Sequence, residues 1–222
     1  KCYENSETQR AFQETDALGG LDPYSNSKAC AELLSTAYRH SFFNDESSLA
    51  LATARAGNVI GGGDWSQDRI VSDIIRALLS QQPVALRSPQ AVRPWQFVLE
   101  PLQGYLRLAE KLWTDKHAFA SAWNFGPALE SLQTVGWLND SLQMLWHGKS
   151  LWQPDLKSAP HEAHFLSLDS TKAHENLYWR PQLSLQEALS WVVDWYKSFE
   201  RNENMYEKTR AQVRAYQERV MS

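Results

Sequence analysis

Apolar positions fall at helical spacing in Ala29, Leu33, Leu34, Ala37 and Tyr38, which predicts one helix with a single apolar face. Its start is marked by Asp22-Pro23, an acceptor for the first exposed N–H groups followed by a residue suited to the first helical position. Ahead of it, Lys1 to Leu21 is mostly polar and closes on Gly19-Gly20, which reads as loop. Leu49 to Ile60 (LALATARAGNVI) reads as one strand, ended by Gly61-Gly62-Gly63. Further along, Ile70 to Leu79 reads as helix, Val84 to Arg87 as a short strand, and Arg93 to Val98 as turn then strand. Helix is predicted for Pro101 to Trp113 and Val135 to Trp146, with strands at Ala122 to Phe125 and His164 to Leu168. Ser184-x-x-Glu187 is a capping box opening an amphipathic helix, and from Glu200 the chain becomes a charged helix or tail. Strands alternating with helices indicate an α/β architecture.

Composition narrows the class. With 222 residues, 43% hydrophobic and 22% charged, the chain has the make-up of a globular protein with one substantial domain or slightly more. A net charge of -4 removes the basic surface that non-specific nucleic-acid binding needs. No apolar run reaches the roughly 18 residues of a membrane-spanning helix, and Lys1-Cys2-Tyr3 opens without an apolar signal segment. Two cysteines, Cys2 and Cys30, are too few for a disulfide framework and suit a reducing cytoplasm, with Cys30 expected as small buried packing. Ten Trp is an unusual load and points to a large aromatic core or a stacking surface.

Tyr24-Ser25-Asn26-Ser27-Lys28 carries the sharpest chemical signal. Four-residue spacing sets the phenol and the ammonium one turn apart on one helix face. A free tyrosine titrates near pH 10, and a neighbouring cation favours its phenolate, so the pair suits removal of a hydroxyl proton while hydride leaves the same carbon. Taken alone, a Tyr-x-x-x-Lys match reads first as an exposed helix face.

The surrounding words change that balance. Asp22 to Lys28 followed by Ala29 to Leu34 resembles the catalytic helix of the short-chain dehydrogenase/reductase superfamily. Arg55-Ala56-Gly57-Asn58-Val59-Ile60-Gly61, Arg93-Pro94-Trp95-x-x-Val98, Trp123-Asn124-Phe125-Gly126, Leu168-Asp169-x-x-Lys172-Ala173 and Leu177-x-Trp179-x-Pro181 follow in the order of its extended, nucleotide-sugar branch. Lys1 to Asn5, Gly57 to Trp65 and His161 to His164 are similar to the CDP-glucose 4,6-dehydratases of that branch. The resemblance runs from Lys1 to about Met205. It implies a lyase using NAD on CDP-glucose in deoxysugar biosynthesis of the O-antigen and lipopolysaccharide kind: hydride leaves C4, water is lost across C5–C6, and the hydride returns to C6. Tyr24 is then the base at O4, Lys28 holds the nicotinamide ribose, and Lys1 matches the second member of an Asp-Lys pair serving the elimination. The resemblance further implies Asn58 and Arg93 as substrate contacts and a homodimer or higher homo-oligomer paired through the helix of Tyr24.

The expected organisation is the C-terminal part of a Rossmann-type parallel sheet plus a smaller α/β substrate-binding domain. Residues 1–64 are assigned to the first, 65–200 mainly to the second with about 100–126 returning to the sheet, and 201–222 to the charged helix or tail. No Gly-rich turn of the pyrophosphate-binding type follows a strand, and Gly61-Gly62-Gly63 lacks its spacing. The chain thus reads as the C-terminal half to two-thirds of such an enzyme, with another dehydratase or epimerase, or an inert sugar-nucleotide-binding piece, as alternatives. Asn58 reads either as a ligand contact at a strand end or as an Asn closing the strand's hydrogen bonds. Arg93 suits bidentate grip of a diphosphate, although a surface Arg before a strand fits as well. Where related epimerases carry Arg-x-Gly-Asp, this chain has Pro160-His161-Glu162-Ala163-His164, and the His spacing there is wrong for a zinc helix, so no metal is expected. Trp191 and Trp195 are read as core.

Overall fold

A computed structural model of the protein describes residues 1–5, 7–43, 47–147, 152–154 and 163–221. These divide into two compact units: Lys1–Gly57, Glu100–Gly126 and Phe165–Arg180 in the first, and Asn58–Leu99, Pro127–His164 and Pro181–Ser222 in the second. The division falls at Gly57 rather than after Asp64, 165–180 joins 100–126 in the first unit, and the charged C-terminal helix belongs to the second.

In the first unit, α1 (Pro23–Phe42) precedes β1 (Thr53–Ala56), which pairs in parallel with β5 (Ala122–Phe125), Arg55 opposite Asn124. Between those strands come α3 (Leu99–Thr114) and a 3-10 turn at Lys116–Phe119; α5 (Thr171–Asn176) follows later. Asp22 caps α1 as expected, accepting from the Ser25 N–H at 2.9 Å, with Pro23 in the first turn. Trp123, Phe125, Leu108, Leu177 and Trp179 form this unit's main core. α3 approaches so closely that a Cβ on Gly104 would lie 2.4 Å from the Phe125 ring. A satellite cluster gathers Cys2, Tyr3 and Phe12, with the two rings stacked at 5.0 Å. The N-terminal stretch is therefore loop, as expected, but it is an anchored loop: Tyr3 bridges Leu18 and Phe12 bridges Leu168.

The second unit holds β2 (Asn58–Ile60), α2 (Ile70–Leu79), β3 (Val84–Leu86), β4 (Val92–Phe97), β6 (Leu132–Thr134), α4 (Val135–His147), β7 (Trp152–Pro154), α6 (Leu185–Glu200) and α7 (Met205–Met221). β4 is the middle of a three-stranded sheet, parallel to β2 and antiparallel to β6, while β3 and β7 form a separate parallel pair. Ile74, Ile75, Leu138, Leu142, Leu189, Val192 and Tyr196 fill its core with Trp95, Trp146 and Trp195. Ser184 and Glu187 cap α6 reciprocally, as expected. The charged C-terminal segment is a helix packed on α6, with Tyr216 buried and the Trp195 indole N–H donating to the Thr209 hydroxyl at 2.9 Å.

Several expectations are corrected. The single strand over Leu49–Ile60 is two, because Ala56 pairs with Phe125 while Asn58 pairs with Trp95, so the backbone changes partner at Gly57. Asn58 accordingly opens β2 instead of ending a strand. Arg93 and Pro94 lie inside β4, where Pro94 pairs with Leu132, and Arg93 is buried, not a surface residue in a turn. His164 to Leu168 forms no strand; Leu168 meets Phe12 in a single bridge. Of the apolar face expected for α1, Ala29 is buried, whereas Leu33, Leu34, Ala37 and Tyr38 are exposed. Cys30 lies on the exposed side as well, and Cys2 is the buried cysteine. Trp191 and Trp195 do belong to the core. Among the described residues no helix is long and apolar enough to cross a membrane.

Candidate functional site

Tyr24 occupies the first turn of α1 and Lys28 the next, as the spacing required. The Lys28 Nζ stands 5.5 Å from the Tyr24 ring centroid, and Tyr24 is 52% exposed. This places a cation beside an accessible phenol, an arrangement open to a ligand and suited to proton exchange. The segment of Lys1 runs alongside the entry to α1: Glu4 N–H donates to the Ala17 carbonyl and Gly19 N–H to that of Cys2. The charge of Lys1 helps hold the Asp22 carboxyl below its ordinary range, although Ser25, through its hydroxyl and its N–H, is the larger cause. Lys1, Tyr24 and Lys28 thus share the first unit, whereas Asn58 and Arg93 belong to the second. There, Asn58 is half-buried opposite Trp95, and the Arg93 Nη1 donates to the Val92 carbonyl at 2.9 Å.

Sequence reasoning missed the polar network behind α1. Arg55 on β1 donates through Nη1 to the Tyr3 hydroxyl and through Nη2 to Glu32, both at 2.7 Å. Tyr3 in turn donates to the Asn124 Oδ1 at 2.6 Å, and the Asn124 side chain donates to the carbonyls of Phe12 and Asp169. Thr53 adds a second hydrogen bond to the Glu32 carboxylate at 2.7 Å. Burial, opposed by the Arg55 hydrogen bond, pushes the Tyr3 phenol up to about 12, so it stays a proton donor. Burial also opposes the Arg55 charge, but Glu32 and Tyr3 outweigh it and its pKa is raised. Two signals were available: a charge in the middle of the otherwise small, apolar run around Arg55, and Glu32 one turn beyond Lys28.

The glycine-rich turn after β2 has a different use from phosphate binding. A Cβ on Gly62 would fall 2.2 Å from the Trp195 ring, and Gly63, at φ +84, lies over the same indole. The Tyr196 hydroxyl donates to the Asp64 carbonyl at 2.8 Å, and Trp65 meets Tyr196 edge-on and Phe199 at a tilt. These glycines let backbone approach an aromatic side chain of the same unit. His161 and Glu162 of the rejected zinc pattern lie outside the described residues. Among the described residues, no three His, Cys, Asp or Glu side chains gather as metal ligands.

Residues 3–191 match the family described as GDP-mannose 4,6 dehydratase. The chain is 44% identical over 220 residues to a CDP-glucose 4,6-dehydratase of Salmonella typhimurium, covering 97% of this chain and 61% of that protein. It is 26% identical to a dTDP-glucose 4,6-dehydratase of Haemophilus influenzae, across 85% of this chain and 56% of the other. It therefore spans about three-fifths of the length of the curated relatives it matches. Among solved structures, DesIV, a dTDP-glucose 4,6-dehydratase from Streptomyces venezuelae with NAD and TYD bound, aligns with a TM-score of 0.74 at 21% identity, covering 91% of this chain and 58% of that one. A UDP-glucuronic acid 4-epimerase from Bacillus cereus with UDP-glucuronic acid and NAD aligns with a TM-score of 0.74 at 22% identity, covering 87% and 58%. These likenesses bear out the α/β fold expected from the strand–helix alternation and the Rossmann-type sheet that the resemblance implied. By the match over residues 3–191, the chain belongs to the GDP-mannose 4,6-dehydratase family.

Proposed function

We propose that this chain is part of a nucleotide-sugar 4,6-dehydratase that converts CDP-glucose to CDP-4-keto-6-deoxyglucose. The observation that carries the reading is the open Tyr24–Lys28 pair on a capped helix, in a chain 44% identical to a CDP-glucose 4,6-dehydratase. Tyr24 takes the proton from the C4 hydroxyl as C4 is oxidised. Lys28 places its charge beside that ring and would hold the nicotinamide ribose when the cofactor is bound. Lys1 serves the loss of water across C5–C6. Asn58 and Arg93 are the proposed sugar-nucleotide contacts, Arg93 through a guanidinium fork matched to a diphosphate. NAD, when bound, supplies the hydride acceptor for C4 and the hydride returned to C6. What this chain offers fits the nicotinamide-ribose end, since Tyr24 and Lys28 are accessible together. The Gly61-Gly62-Gly63 turn does not fit the pyrophosphate end, because Trp195 fills its open face.

The first unit is then the rear of the cofactor domain, and the second is the substrate domain. The exposed Leu33, Leu34, Tyr38 and Phe42 of α1 support self-association through that helix, which sedimentation of the protein would report as a dimer. The free cysteines support a cytoplasmic place for this step of deoxysugar biosynthesis. The test is incubation of the full-length protein and NAD with CDP-glucose or dTDP-glucose, followed by product analysis. Formation of the 4-keto-6-deoxy product from CDP-glucose alone is the expected result. A C4-epimerised sugar, or turnover of dTDP-glucose only, overturns the reading.

A further inference from the structure

We infer that Arg55 is a positioning residue that sets the Lys1 segment against the helix of Tyr24 and Lys28. The inference rests on the proposed dehydratase reading and goes beyond it, since Arg55 touches none of the reacting groups. Its two terminal nitrogens hold different elements: Nη1 holds Tyr3, two residues from Lys1, and Nη2 holds Glu32, one turn beyond Lys28. The guanidinium also lies 4.9 Å over the Tyr3 ring, so the aromatic side chain is gripped by face and by hydroxyl. Both anchors are fixed from behind, Tyr3 by Asn124 on β5 and Glu32 by Thr53 on β1. A planar fork with donors on both arms spans two acceptors in fixed geometry, which a lysine ammonium does not reproduce. A reaction that needs one group at O4 and another at C5–C6 depends on such spacing, because misplacement by about 1 Å can cost roughly 10²-fold in rate.

The test uses the full-length protein, with Tyr3→Phe removing the bridging hydroxyl while keeping the ring. Phe12→Leu is the comparison: it loosens the same cluster, where Phe12 stacks on Tyr3, without touching the hydrogen bonds of Arg55. Tyr3→Phe is expected to lower kcat roughly tenfold or more, with KM within about twofold. In the cofactor-free protein it should also speed amide hydrogen exchange over residues 22–34. Phe12→Leu, at an equal or larger loss in Tm, should keep kcat and that exchange near wild type. Unchanged kcat in Tyr3→Phe, or an equal fall in both variants, overturns the inference. Tyr24→Phe in the same assay separates the two readings: if it turns over normally, the proposed chemistry fails, and the exchange measurement still decides whether the clamp orders α1.

Discussion

Arg55 and Glu32 form an ion pair at 2.7 Å with side chains only 8% and 12% exposed, tying the middle of β1 to the second turn beyond Tyr24 on α1. Removing one partner of a buried pair leaves the other charge uncompensated, at a cost of about 3 kcal/mol or more. Arg87 and Asp68, also an ion pair, are 48% and 84% exposed, where such pairs contribute about 0–1 kcal/mol. Arg55→Met should therefore lower the unfolding free energy severalfold more than Arg87→Met. Urea denaturation of the two variants checks this, and equal effects would show that the buried pair contributes no more than a surface one.

Glu187 ties the start of α6 to α7. Arg219, then the Ser184 N–H and hydroxyl, hold its carboxyl down from 4.5 to about 2. A depressed carboxyl contributes stability that is complete above its unfolded value and is lost as pH falls through the folded one. The window is thus from about 4.5 down to about 2. Glu187 is 42% exposed, so solvent screening keeps the effect modest. Glu187→Gln should flatten the acid limb of Tm against pH within that window while leaving the curve parallel to wild type above it. An acid limb as steep as wild type would place the titrating group elsewhere.

Gly62 meets Trp195 at a distance no side chain tolerates. Gly62→Ala should cost about 1–3 kcal/mol by overpacking. Trp195→Leu, which opens the space, should make the same alanine far less costly, although it carries its own cavity cost. A double-mutant cycle by thermal unfolding reads the coupling, and additive effects would mean that the two residues are not in contact.

How much of this was legible in the sequence depended on whether the cause was local. The cap at Asp22, the box at Ser184 and Glu187, and the helix Ile70–Leu79 were readable because their determinants lie within a few residues. Leu49–Ile60 misled because a largely apolar stretch carries no record of a partner change, and β1 and β2 pair with strands some 40 to 70 residues away. The α1 face misled for a related reason: periodicity shows that Leu33, Leu34 and Tyr38 share a side, not that anything in this chain covers it. Tyr24 and Lys28 were found because one helical turn joins them. Tyr3, Arg55 and Asn124 were not, since contacts across 52 and 121 positions leave no spacing to read.

Tyr24 separates activity from stability most cleanly. Its side chain is half exposed, and among the described residues its hydroxyl makes no hydrogen bond, so Tyr24→Phe removes an oxygen that holds nothing in the fold. Stability should stay within about 0.5 kcal/mol of wild type, the ordinary range for such surface changes. Loss of a group that moves a proton in the transition state costs roughly 10²-fold or more in turnover. In the proposed reading, kcat and kcat/KM on CDP-glucose fall together while the melting curve is unmoved. In the same reading Lys28 would hold the cofactor ribose, so Lys28→Met should lower kcat as well and weaken NAD binding measured by titration, which Tyr24→Phe affects less. A Tyr24→Phe enzyme of normal turnover would move the base to another residue, leaving α1 a structural helix whose exposed Tyr–Lys pair has no chemical part.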